Sequence, residues 1–362
     1  MDYNRFRRKT KKIKVGNLFI GGDAPITVQS MTNTKSDDFE ATYNQMKELE
    51  NAGCDIVRMA VPDMSCVKTV ARLKESDIKM PIVCDIHFDY RLAIESAAAG
   101  ADKIRINPGN IGTKEKIKAV VDACRAKKIP IRIGVNGGSL HKKLLAKYGS
   151  PTPEALAESA MENIALLEEF DFDNIIVAIK SSRPINMIRA NRIIAEKCSY
   201  PIHLGVTEAG TLHTGMIKSS VGIGALLCDG IGDTMRVTLT DAPVVEVKEG
   251  RALLSAIGIG KSRNINLIAC PTCGRTNIDI IGLSKRLEAM IDLGELTSEI
   301  PLTVAVMGCA VNGPGEAREA DIGIAGGNGE GLLFKKGEVA YKVPESEIIE
   351  ALVKEIGMLN RK

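Results

Sequence analysis

Eight short apolar runs, each followed by a stretch with helical periodicity, constrain the fold of this chain more than any other feature. The runs are Ile26–Met31, Asp55–Ala60, Pro81–Ile86, Asp102–Asn107, Ile129–Gly134, Asn174–Ile179, Pro201–Val206 and Gly232–Thr238. Between them, Asp38–Ala52, Met64–Glu75, Arg91–Ala99, Lys114–Lys127 and Pro153–Glu169 place apolar residues at three- and four-residue intervals, as one helix face requires. The apolar fraction is 44%, mostly Ile, Val, Leu and Ala, and 34 glycines provide for many short turns. That balance suits α/β architecture with strands covered on both faces. Eight strand–helix units within about 250 residues is the arithmetic of a (β/α)8 TIM barrel. An open doubly wound sheet uses the same units, but no Gly-x-Gly-x-x-Gly follows the first strand to support a dinucleotide fold.

The pattern changes near Ile257. Residues 1–256 read as the barrel with a basic N-terminal arm, and residues 257–362 as a small α/β domain. In the latter, Ile265–Ala269 and Leu302–Met307 read as strands, Ile281–Leu293 as an amphipathic helix, Asp321–Ala325 and Gly331–Val343 as short strands, and Glu345–Met358 as a closing helix.

Charge and targeting features exclude several classes. A formal net charge of +3 implies no strong polyanion partner, and the basic segment Asn4–Lys14 reads as a solvated arm rather than a nucleic-acid tail. No apolar run approaches the roughly 18 residues of a membrane-spanning helix, and no signal-peptide core opens the chain. A cytoplasmic protein without nucleic-acid or membrane partners is expected.

Charged residues inside apolar strands cost free energy unless they are paired or used. They recur here near strand C-terminal ends, as Arg58, Asp85, Arg105, Arg132, Lys180, Glu208 and Arg236. In a barrel those ends line one mouth, where ligands bind. Period-two alternation puts Asp85 with His87, Arg105 with Asn107, and Arg132 with Asn136 on shared faces. Five cations at one mouth repel one another unless acids or an anionic ligand compensate them. Asp85, Asp102 and Glu208 are available for structural ion pairs, and a diphosphate or similarly dense anion is the alternative that planar guanidinium groups chelate well. A lone strand histidine is ordinarily a satisfied core residue, so His203 and His213 receive no role. His87, between two acids at a strand end, stands as a site candidate.

Nine cysteines in a chain without a secretion signal argue for reduced thiols. Six sit singly in apolar or helical contexts, whereas Cys270, Cys273 and Cys309 lie beside turn residues. A structural zinc site takes four Cys or His ligands, yet no histidine follows His213. Three thiolates suit zinc or an iron–sulfur cluster with one position left to another ligand, and the Asn312-Gly-Pro-Gly turn can return Glu316 towards it. A metal-free Cys-x-x-Cys turn is the remaining reading.

Cys270-Pro-Thr-Cys273-Gly-Arg275 together with Met307-Gly-Cys-Ala-Val-Asn-Gly-Pro-Gly-Glu316 closely resembles the bacterial, two-domain 4-hydroxy-3-methylbut-2-enyl diphosphate synthase family. The likeness continues through Val28–Thr34, Ile104–Asn110, Ile131–Asn136, Gly205–Gly210 and Gly232–Arg236. It implies a 4Fe-4S cluster held by Cys270, Cys273, Cys309 and Glu316. It also implies a cyclic diphosphate substrate contacted by Arg58, His87, Arg105, Asn107, Arg132, Asn136, Lys180, Arg236 and Thr238. Glu208 and Asn312 become acid/base and polar helpers, flavodoxin or ferredoxin the electron donor, and a homodimer with composite sites the assembly. The competing reading is a zinc-stabilised anion- or RNA-binding barrel without redox activity, against which the missing fourth zinc ligand weighs.

Overall fold

The computed structural model describes residues 3, 6–259, 265–309 and 318–360, and the chain divides into two compact units, 1–260 and 261–362. In the first unit a hairpin, β1 (Ile13–Val15) and β2 (Leu18–Ile20), precedes eight parallel strands. These are β3 (Thr27–Met31), β4 (Ile56–Ala60), β5 (Ile82–Asp85), β6 (Lys103–Ile106), β7 (Ile131–Asn136), β8 (Ile175–Lys180), β9 (His203–Leu204) and β10 (Thr234–Met235). Successive strands from β3 to β8 are neighbours, β10 pairs with both β3 and β9, and a parallel bridge from Val177 to Ile202 joins β8 to β9. The sheet therefore closes on itself as a TIM barrel.

Each expected strand forms, because alternate residues such as Val57, Met59, Ile104, Ile106, Ile133 and Val177 bury an apolar face against the surrounding helices. The helices begin where short polar side chains satisfy their first amides: Asp38 accepts from Ala41 N, Asp63 from Ser65 N and Cys66 N, and Thr152 from Ala155 N. At the strands' N-terminal end, Ile13, Val15 and Ile20 of the hairpin pack on Ile56, Val83 and Ile176 and stopper the barrel.

The N-terminal arm departs from the solvated reading. Arg7 is buried, donates to Asp233 Oδ1 at 2.7 Å and lies over the Tyr3 ring. Arg8 donates to the carbonyls of Cys198 and Tyr200 at 2.5 Å each, covering the C-terminus of the helix Pro184–Lys197. Only further along, at Lys11 and Lys12, do the basic side chains make exposed ion pairs.

The second unit is a five-stranded sheet in the order β11 (Ile265–Ala269), β12 (Leu302–Met307), β13 (Ile322–Gly326), β14 (Glu330–Lys335) and β15 (Glu338–Pro344). The first three strands run parallel and the last two form an antiparallel hairpin. Lys336 and Gly337 turn that hairpin with φ of 49° and 81°, the paired positive values that match the twist of the flanking strands. Helices Ile280–Leu293 and Ile348–Leu359 bury Leu287, Leu352 and Ile356 against Val304, Ile324 and Leu333.

Candidate active site

A TIM-barrel interior is ordinarily filled by bulky branched apolar side chains. Here the strand positions alternate to the outward apolar set carry Gln29 and Met31 on β3, Arg58 on β4, Asp85 on β5, Arg105 on β6, Arg132 on β7 and Lys180 on β8. Strand register makes this a polar layer, since Asp85 lies beside Arg105, and Arg105 beside Arg132. A narrow cavity of about 30 Å³ is lined by Arg58, Arg105, Arg132, Asn136 and Lys180 together with Gly134 and Ala178. The glycines have a steric reason. A Cβ on Gly134 would stand 2.5 Å from Arg105 Nε, and one on Gly205 would stand 2.8 Å from Lys180 Nζ. Both positions are bare so that a neighbouring cation can cross the barrel.

Asp85 is the hub. Its carboxylate accepts from Arg105 Nη1 at 3.0 Å, with His87 Nε2 at 3.4 Å and Arg58 Nε at 3.9 Å. Burial alone would raise its pKa, but Arg58, the His87 hydrogen bond and Arg105 hold it far below the usual carboxylate range. Arg132, only 1% exposed, donates to Gln29 Oε1 at 3.0 Å across the barrel. Burial first, then the neighbouring guanidinium groups, push Arg58 down to about 10. Burial and the surrounding Arg236, Arg58 and Arg132 charges push Lys180 well below a normal lysine. The layer is an excess of positive charge largely withdrawn from water.

Several expectations change on contact with the geometry. Asp102 stands at the start of β6, at the opposite end of the strands, and serves Lys74 at 2.7 Å and the Ile82 amide at 2.8 Å, so it does not compensate the mouth. That part belongs to Glu246, which sequence reading missed. Its carboxylate accepts from Arg236 Nε and Nη2 at 3.0 Å each, from Ser30 Oγ at 3.0 Å and from Leu239 N at 3.0 Å. Glu246 sits in the first turn of the helix Pro243–Ala256, so only barrel closure reveals the pairing; a buried acid in an otherwise apolar helix face was the available signal. Arg236 is consequently a paired cation whose Nη1 points at Met31 Sδ, 3.5 Å away.

Glu208 does not join the cation layer, where the ion pairs run to Asp85 and Glu246 instead. It has a positive φ of 53° and lines a second cavity of about 310 Å³ with Asn136, Ser181, Ser182, Arg183 and Thr207. Asn136 lines both cavities. Asn107 is buried and caps the short helix Pro108–Ile111 through Gly109 N at 3.2 Å, and Thr238 Oγ1 is buried without a partner among the described residues. His203 is a core residue, 0% exposed, whose imidazole is kept neutral by burial and by the charges of Arg132, Lys180 and Lys103.

In the second unit, β11 and β12 are parallel neighbours with Ala269 beside Val306, so Cys270 and Gly308-Cys309 emerge from adjacent strand ends. Cys270 Sγ accepts the Gly308 amide at 3.1 Å, and the Thr276 hydroxyl accepts the Cys273 amide at 3.1 Å. Hydrogen bonding from Arg275 N lowers the pKa of the exposed Cys273 thiol and favours its thiolate. Cys270 and Cys309 are half-buried, and among the described residues no three His, Cys, Asp or Glu side chains are already gathered as a metal site. Asn312 and Glu316 lie outside the described residues.

Comparisons with known proteins agree with this division. Residues 10–251 match the GcpE TIM-barrel domain and residues 266–358 the GcpE protein C-terminal domain. The chain is 55% identical over 348 residues, 96% of its length and 98% of the relative's, to "4-hydroxy-3-methylbut-2-en-1-yl diphosphate synthase (flavodoxin)" of Clostridium perfringens. A protein of the same name from Bacillus mycoides is 52% identical over 353 residues, covering 98% of this chain and 95% of that one. Among solved structures, dihydropteroate synthase from Thermus thermophilus aligns with 68% of this chain and 98% of its own at a TM-score of 0.51 and 11% identity. Type I 3-dehydroquinate dehydratase from Clostridium difficile covers 69% of this chain and 100% of its own at 0.50 and 15%. These two likenesses show the barrel fold alone.

Proposed function

The chain belongs to the GcpE family, and on that premise we propose that it opens 2-C-methyl-D-erythritol 2,4-cyclodiphosphate and removes one hydroxyl as water, yielding 4-hydroxy-3-methylbut-2-enyl diphosphate. Two electrons are consumed, and the relatives' printed name supports flavodoxin as their donor. The observation that carries the reading is the cation layer, in which Arg58, Arg105, Arg132 and Lys180 line one cavity while Asp85 pairs only with Arg58 and Arg105. A dianionic cyclic diphosphate offsets that excess charge through charge-assisted hydrogen bonds.

Cys270, Cys273 and Cys309 fit an iron–sulfur cluster by donor chemistry: three thiols at adjacent strand ends, one sulfur already accepting a backbone amide and another tuned towards thiolate. Glu316 would complete the set. Such a cluster supplies the electrons to the substrate when bound. The barrel residues do the rest. Arg105 and Arg58 are aimed by Asp85, Arg132 by Gln29 and Arg236 by Glu246, so the diphosphate is oriented by side chains whose positions precede its arrival. Glu208, at the edge of the adjoining cavity, would hold or pass a proton at the departing hydroxyl, with Asn312 as the polar helper. Asn107, Asn136, His87 and Thr238 complete the contacts.

A homodimer in which each second unit serves the partner's barrel is the assembly this reading adopts. Mixing Glu208→Gln with Cys309→Ser chains should then restore part of the activity; no recovery after proven subunit exchange would place both halves of the site in one chain. The function itself is tested by anaerobic purification and assay with the cyclodiphosphate and reduced flavodoxin. A brown protein with iron and sulfide that forms the linear diphosphate supports it, and a colourless protein with stoichiometric zinc overturns it.

A further inference from the structure

Beneath the cation layer the barrel remains polar for one more layer, which shares Gln29 and Arg132 with it. Thr27 and Gln29 of β3, Lys103 of β6, Arg132 of β7 and His203 of β9 are each 5% exposed or less. Thr27 Oγ1, Gln29 Nε2, Lys103 Nζ, Arg132 Nε and His203 Nε2 are all buried, and none has a hydrogen-bond partner among the described residues. Thr27, Thr234 and His203 occupy one row across β3, β10 and β9, with His203 Nδ1 3.4 Å from Thr234 Oγ1. Arg132 reaches this side through Gln29. Lys103 lies on the same inward face of β6 as Arg105, two positions below it, and Arg105 is the register neighbour of Arg132, so the buried Lys103 enters the barrel interior from the strand beside Arg132.

The set consists almost wholly of donors. An ammonium, a guanidinium N–H and a primary amide nitrogen accept nothing. A water among them would find few acceptors for its own hydrogens, whereas an anion needs none. Each nearby acid is engaged elsewhere: Asp85 with Arg105, Glu246 with Arg236, Asp102 with Lys74 and Asp233 with Arg7. Orphaned buried donors cost free energy that a small anion removes.

We infer that the barrel holds a monovalent monatomic anion, chloride in ordinary solution, beneath the diphosphate site, bound by Lys103, Arg132, Gln29, Thr27 and His203. This site shares Arg132 with the substrate's, yet it stands or falls without the catalytic reading. Burial and the neighbouring Arg132 and Arg58 push Lys103 well below a normal lysine, and the anion offsets this and fixes Arg132 from below while substrate meets it from above.

Bromide is the probe. Crystals of the full chain grown in sodium bromide should show an anomalous peak in hydrogen-bond contact with Lys103 Nζ and Arg132 Nε. In solution, replacing sodium gluconate by sodium bromide or chloride at equal ionic strength should raise Tm by about 1–3 °C. Lys103→Met, which removes the buried ammonium and keeps the side-chain length, should abolish both the peak and the halide-dependent shift. Should that variant fail to fold, the two wild-type measurements decide alone. Ordered water or featureless density there, or a peak without any halide effect on Tm, which would mark binding at crystal concentration only, overturns the inference.

Discussion

The barrel mouth and the cysteine end of the second unit are both built at the C-terminal ends of parallel strands, yet they are prepared to different degrees. In the barrel, Arg132 and Asp85 are buried, and hydrogen bonds at 3.0 Å already fix Arg105, Arg132 and Arg236. At the cysteine end, Cys273 is exposed and Cys270 and Cys309 half-buried, with Cys270 packed at the edge of the core and Cys270 and Cys273 held by backbone hydrogen bonds. Strand register aims the first set before any ligand arrives. The second set lies in turns, and a bound metal group would do the gathering. Removing the barrel's central acid should thus change binding and stability together, whereas substitutions at the cysteines should change activity with little effect on the fold.

The sharpest test is Cys270→Ser, Cys273→Ser or Cys309→Ser. Each should lower activity by at least about 1000-fold with loss of iron, while the metal-free protein keeps its far-ultraviolet circular dichroism and its Tm within about 2 °C of metal-free wild type. A large drop in that Tm would erase the contrast.

Asp85→Asn should be costly in both respects, destabilising the fold by about 3–5 kcal/mol because it strands Arg58 and Arg105 without their acid. The pH dependence has a definite sign. Asp85 has a folded pKa far below its unfolded value of about 3.9, so its stabilisation is fully present above that value and is lost as pH falls below it. Denaturant titrations between pH 3 and 7 should show the wild-type advantage over Asp85→Asn constant near neutrality and shrinking at the acid end.

Arg132→Met should weaken substrate binding by about 1.5–3 kcal/mol, roughly 10- to 150-fold in Kd by calorimetry. It should leave Tm unchanged or higher, since it removes a buried cation surrounded by like charges. Glu246→Gln, which loosens Arg236 without removing it, should raise KM about 5- to 30-fold with kcat nearly unchanged, and Glu246→Asp should recover part of that loss. The smallest effect belongs to exposed ion pairs such as Lys114 with Glu169, where Lys114→Ala should change stability by less than about 0.5 kcal/mol.

Local chemistry made the strands legible. A short β-branched run such as Asn174-Ile-Ile-Val-Ala-Ile179 suits a doubly covered strand, and its alternation exposes the inward position of Lys180 at the end. The same alternation identified Arg58, Arg105 and Arg132 as mouth residues. It did not say what each cation would meet, because partners come from other turns of the barrel: Arg132 finds Gln29 from 103 positions away, and Arg7 finds Asp233 from 226. The basic arm looked solvated for that reason, and Asp102 looked like a mouth acid because composition does not tell one end of a short strand from the other.

By itself the sequence determined the strand–helix repeat, the inward cations and the placing of three thiols beside turns, since period, polarity and turn chemistry act over a few residues. Only the closed barrel decided which acid neutralises which base, that Glu246 holds Arg236, and that Lys103 Nζ and His203 Nε2 are buried without partners among the described residues. Electrostatic partnership depends on distance in space and on exclusion of water, and neither exists until the first and last strands of the barrel have met.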